Sequence, residues 1–131
     1  MKREFTNAEI EKILTVLNGA DSFIMKVKIP PQIRQALRVN RKALEERMQV
    51  YQEGRAEIIR TYIANDHARI VDDTVEVDEP YRKAIAHELQ ELAVVKNDSE
   101  FQKVDDVVLE HFLNTQNLTM AEEDFLLTFK E

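Results

Sequence analysis

The sequence predicts a mainly α fold of the α+β class: one long central helix packed by three shorter helices, with a small β-hairpin or sheet. Three observations predict it. From Ile29 to Ala64 there is no glycine before Gly54 and no proline after Pro31. Only 2 glycines and 3 prolines occur in 131 residues, with 33% charged side chains, which favours helices over a turn-rich sandwich or barrel. The run from Arg69 to Val77 is β-branched and partly alternating around Asp72-Asp73. An apolar content of 44% is enough for one core, so residues 1–131 are expected to form a single domain. The long helix takes about 31–64, and a mixed α/β half takes 65–131.

The first helix starts at Phe5-Thr6-Asn7-Ala8-Glu9-Ile10. Thr6 caps it, Glu9 reaches back to the cap, and Phe5 and Ile10 staple the entry. Ile10, Ile13, Leu14 and Leu17 form its apolar face, and Asn18-Gly19 is expected to stop it in the left-handed conformation. In Phe23–Ile29 the second half alternates. Ile29 precedes proline, which pushes it out of the helical region, so an extended segment is expected there. Pro31 suits the first turn of the next helix.

At about 1.5 Å per residue the long helix runs roughly 50 Å, whereas a compact chain of this length has a radius of gyration near 14 Å. Leu37, Leu44, Tyr51 and Ile58 recur every seven residues, flanked by Ile33, Met48 and Tyr62 within about a quarter of the circumference. So narrow a seam suits packing against another helix at a shallow angle. These seven residues are the candidate partner-binding positions. The alternate seam positions are Asn40, Arg47, Gly54 and Thr61, which favours irregular helical packing over a regular coiled coil. Asn40 can set register, and Gly54 can permit a close approach or a bend. The seam can equally be covered within one monomer, because the first, third and last helices together match its length.

In the second half, Asp72-Asp73 is expected to turn a small hairpin, although it lacks the favoured glycine. Asp78-Glu79-Pro80 opens a third helix whose apolar face is Tyr81, Ile85, Leu89 and Leu92, ending near Ala93. Val94-Val95 and Val104–Leu109 are ambiguous, and at least one is expected to be a strand. Thr119-Met120-Ala121-Glu122 is a second capping box, leading into Phe125, Leu126, Leu127 and Phe129.

Composition narrows the function classes. The net charge of -7 is unevenly spread: residues 1–64 carry 12 Lys and Arg against 8 Asp and Glu, and residues 65–131 carry 6 against 17. The halves can complement each other at a shared rim, or the acidic half can meet a basic partner. Arg34, Arg38 and Arg41 at helical spacing, with Lys42, make a basic cluster followed at once by Glu45 and Glu46. Without interleaved aromatics or a reading motif, nucleic acid is a disfavoured partner. No cysteine means no disulfide, thiolate zinc site or thiol nucleophile. MKREFTNAEI lacks a signal-peptide core, and no run approaches the ~20 apolar residues of a membrane span, so a cytoplasmic protein with no membrane partner is expected.

No catalytic constellation is legible. His67, His87 and His111 each neighbour an acid in sequence (Asp66, Glu88, Glu110), but adjacent helical residues point about 100° apart, and no two histidines have the four-residue zinc spacing. Asp105, Asp106, Glu110 and His111 are a conceivable metal set, with solvated acidic surface the plainer reading. Neither Ser22 nor Ser99 sits on a glycine-flanked turn. Two glycines build no phosphate loop. Asn117-Leu118-Thr119 matches a glycosylation sequon, but its threonine is better explained as a helix cap. The expectation is a non-enzymatic protein with no cofactor and no metal.

Met25-Lys26-Val27-Lys28 leading into a long charged helix, the segment YRKAIAHELQEL with the β-branched stretch after it, and the terminal NLTMAEEDFLLTFKE resemble a family of short, functionally uncharacterised proteins of tailed phages and prophages of Gram-positive bacteria. The region from Phe5 to Ser22 also fits, so the resemblance spans most of the chain. The last helix departs from it at Thr119-Met120, where many members place proline after the cap. The resemblance implies phage origin and small helical architecture, and no catalytic residue. Two functions are then expected. The first is a structural or assembly-associated phage protein, in the host cytoplasm or the virion, that acts through helix-mediated homo-oligomer or partner contacts. The second is a small acidic phage protein that binds and inhibits a host nucleic-acid-handling or defence protein.

Overall fold

The computed structural model describes residues 1–131, ordered β1 (Lys2–Thr6), α1 (Asn7–Leu17), α2 (Phe23–Lys26), α3 (Pro31–Ala64), β2 (Ala68–Val71), β3 (Thr74–Val77), α4 (Arg82–Ala93), β4 (Lys96–Glu100), α5 (Asp106–Thr115) and α6 (Met120–Leu127). The fold is α+β and mainly helical, with two small antiparallel sheets of two strands each.

α3 is the single helix that its sequence predicts. Pro31 occupies the first turn, where its missing N–H is no loss. The far end closes by a Schellman arrangement: Asp66 adopts a left-handed φ of 63°, the His67 amide donates to the Tyr62 carbonyl, and the Asp66 amide donates to that of Ile63. The chain then turns directly into β2. Asp72 and Asp73 have φ of 50° and 63°, the pair of positive values that a type I′ hairpin requires, so the expected β2–β3 hairpin forms without glycine.

The first half of α3 lies in the core. Ile33, Ala36, Leu37 and Leu44 pack in one cluster with Ile10, Leu14 and Leu17 of α1. The same cluster holds Phe101, Phe125 and Phe129, whose rings meet edge to face at centroid separations of 5.1 to 6.3 Å. The second half of α3 meets α4 and the hairpin. Gly54 permits the close approach there, because a Cβ at that position would lie 3.1 Å from Leu92 Cδ2.

Both capping boxes form, at Thr6–Glu9 and Thr119–Glu122. α4 runs to Ala93 behind a 3-10 turn at Glu79–Tyr81, and its Ile85 is buried. Three expectations are corrected. Asn18 ends α1 with a right-handed φ of -89°, and no glycine has positive φ, because the Ser22 amide bonds the Gly19 carbonyl and carries the chain round a right-handed turn into α2. Phe23–Lys26 forms one helical turn, capped by Ser22, and the extended backbone begins only at Val27. Neither Val94-Val95 nor Val104–Leu109 is a strand. Asp105 accepts from the amides of Val107 and Val108 at 3.0 and 3.3 Å and starts α5 there. The strand is instead the polar Lys96–Glu100, paired antiparallel with the unanticipated β1, Lys2 opposite Glu100 and Thr6 opposite Lys96.

Candidate interaction surface

The seam is covered by its own chain over most of its length. Ile33 and Leu44 are fully buried, Leu37 is 5% and Tyr51 7% exposed, and Met48, Ile58 and Tyr62 are half-buried. α1 and α4 lie against it. The Tyr62 hydroxyl donates to the Glu88 carboxylate, a bond that holds Tyr62 above the ordinary tyrosine pKa. Of the seven candidate partner-binding positions, Ile33, Leu37, Leu44 and Tyr51 are thus buried by their own chain. Asn40 is buried inside the seam with both side-chain atoms bonded to the Gln102 backbone, so it sets the register of α3 against the segment after β4.

A surface open to other molecules lies on the flank of α3. α2 and the extended Val27–Pro30 run beside the start of the helix and leave an open groove of about 480 Å³. Ile24 is half-buried in it, Ile29 and Leu37 show only 4% and 5% of their surface, the paired Arg41 and Glu45 also line it, and its exposed cations are Arg34, Arg38 and Lys42. These three sit at i, i+4 and i+8, one stripe down the helix. All three are exposed and none has an ion-pair or hydrogen-bond partner. The other arginines of the chain, apart from Arg60, are used: Arg41 bonds Glu45 at 3.1 Å, Arg55 bonds Glu11 at 3.1 Å, Arg69 bonds Asp78 at 2.8 Å, and Arg3, Arg47 and Arg82 donate to backbone carbonyls. Three free cations beside the half-buried Ile24 favour an anionic partner with an apolar edge. The basic cluster is visible in the sequence; its apolar neighbour is not, because Ile24 arrives on a single helical turn that alternation had hidden.

The chemistry-bearing residues do not converge. No group of three or more His, Asp or Glu side chains is placed to hold a metal ion. In the conceivable set of Asp105, Asp106, Glu110 and His111, Asp105 caps α5 and Glu110 pairs with Lys130 at 3.1 Å. His67 stacks flat on Tyr81 with centroids 3.6 Å apart, and His87 meets Glu91 at 2.7 Å on the surface. Ser22 caps α2, whereas Ser99 is buried with no hydrogen-bond partner. No helix is long and apolar enough to cross a membrane.

One buried carboxylate has a defined task. Glu122 closes the capping box of α6 and also accepts from the Phe23 amide at 2.7 Å, tying α6 to α2. Burial alone would raise its carboxyl. The backbone bonds from Thr119 and Phe23, the Thr119 hydroxyl and the charge of Lys26 outweigh that and hold it below the usual carboxylate range. No protein-family model, curated protein or solved structure matches the chain.

Proposed function

We propose that the protein is a non-enzymatic structural or assembly-associated phage protein that acts by docking another protein chain, in the cytoplasm of the infected cell or in the virion. The phage assignment rests on the resemblance carried by Met25–Lys28, YRKAIAHELQEL and the terminal NLTMAEEDFLLTFKE. The docking role rests on the α2–α3 groove, where Arg34, Arg38 and Lys42 stand exposed beside the half-buried Ile24 and have no ion-pair or hydrogen-bond partner within the chain. Contact through the flank of α3 replaces contact through its seam.

Capture of tagged protein from infected cells tests the reading. A phage structural or morphogenesis component should be retained by wild type and lost with Arg34→Glu/Arg38→Glu, and phage lacking the gene should fail to complete particles. Normal particle yield without the gene would contradict it. Retention of a host nucleic-acid-handling or defence enzyme, released by salt, would transfer the role to inhibition.

A further inference from the structure

The free cations of the groove have a counterpart on the same chain. α6 turns Glu122, Phe125 and Leu126 inward. Its outward side carries Met120, 79% exposed, and Leu127, 48% exposed, one heptad apart. Glu123 and Asp124 lie between them in sequence, both exposed and neither in an ion pair. At about 100° per residue these four fall within an arc of roughly 100°. The result is an apolar ridge edged by a carboxylate on each side. The groove presents the opposite charge: the half-buried Ile24 beside the exposed Arg34, Arg38 and Lys42, with the Arg41–Glu45 pair also in its lining.

We propose that the outer face of α6 of one copy docks in the α2–α3 groove of a second copy. The inference rests on the docking role proposed above and names the occupant. α6 cannot fill the groove of its own chain, because Phe125 and Leu126 hold it in the core and Glu122 ties it to the Phe23 amide. That tie has a second consequence. Phe23 anchors the inner face of α6 while the adjacent Ile24 lines the groove, so α6 and the groove adjoin the same short helix, with the ridge on the side of α6 turned away from it. With one ridge and one groove on each copy, two copies can fill each other's groove about a two-fold axis, which closes the assembly as a dimer. Charge match supplies orientation and encounter rate, and Met120 and Leu127 supply the apolar contact.

Sedimentation of the full-length chain over a concentration series, at low and high salt, tests the proposal with two charge-reversed variants. Arg34→Glu/Arg38→Glu reverses the groove, and Glu123→Lys/Asp124→Lys reverses the ridge; all four side chains are exposed and without ion-pair partners, and circular dichroism verifies that each variant folds. Wild type should dimerise, more weakly at high salt. Each variant alone should lose at least about tenfold in self-affinity. An equimolar mixture should recover the dimer, since each groove then meets a ridge of opposite sign. Wild type that stays monomeric throughout would overturn the self-docking while leaving a different phage partner open to the capture experiment. A dimer unaffected by either reversal would overturn it too, while leaving an oligomeric assembly role intact.

Discussion

Asn40 and Gln102 exchange two hydrogen bonds: Asn40 Nδ2 donates to the Gln102 carbonyl at 3.1 Å, and the Gln102 amide donates to Asn40 Oδ1 at 2.6 Å. A fully buried amide thus serves as the backbone partner that the segment after β4 lacks.

Replacing Asn40 tests this. Asn40→Ala strands a donor and an acceptor in the core and is expected to cost about 2–4 kcal/mol. Asn40→Asp keeps the acceptor but sets a charge against the Gln102 carbonyl, and should cost no less. Urea unfolding at neutral pH measures both.

Glu122 makes stability depend on acid. Its folded-state pKa is depressed, so its contribution is present above the unfolded value of about 4.3 and is lost as pH falls through the folded value. Wild type should therefore lose stability below about pH 4.3. Glu122→Gln should be less stable at pH 7 by about 1–3 kcal/mol and should converge on wild type in acid. Parallel thermal melts across that range would show a constant gap instead if the carboxylate charge were immaterial.

The hairpin turn is strained by two β-carbons. Asp72 and Asp73 both hold positive φ, which an L residue resists and glycine does not. Asp73→Gly is expected to stabilise by about 0.5–1 kcal/mol. Amide exchange of β2 and β3 should slow accordingly.

Gly54 separates helix propensity from packing. Ala gains up to about 1 kcal/mol of propensity, and its Cβ would press only on the end of the flexible, half-buried Leu92 side chain. A small net gain is expected. Gly54→Leu should instead push α4 away and destabilise by about 1–3 kcal/mol.

Much of this fold is written locally. The seam of α3, the Thr6 and Thr119 boxes and the paired aspartates of the hairpin are all legible because each depends on near neighbours. β1 and β4 are not. KREFT and KNDSE contribute only Phe5 and Ser99 to the buried set, and what holds them is cross-strand backbone pairing between residues 90 to 98 apart in the chain. α5 was obscured by Val107-Val108, whose β-branching mimics a strand until the Asp105 cap decides for helix. For the functional surface, the sequence shows a heptad seam but not who covers it. Coverage by α1 and α4 is a tertiary fact, and the docking proposed above uses the exposed flank of Arg34, Arg38 and Lys42 instead.

Hydrogen exchange at low and high protein concentration tests this division most directly. Amides from Ile33 to Tyr51 should be equally protected at both, because their own chain buries the seam, while Val27–Ile29 and α6 gain protection as concentration rises. Fast exchange in the seam of dilute protein, slowed only by self-association, would mean that a second copy covers the seam and would contradict the account.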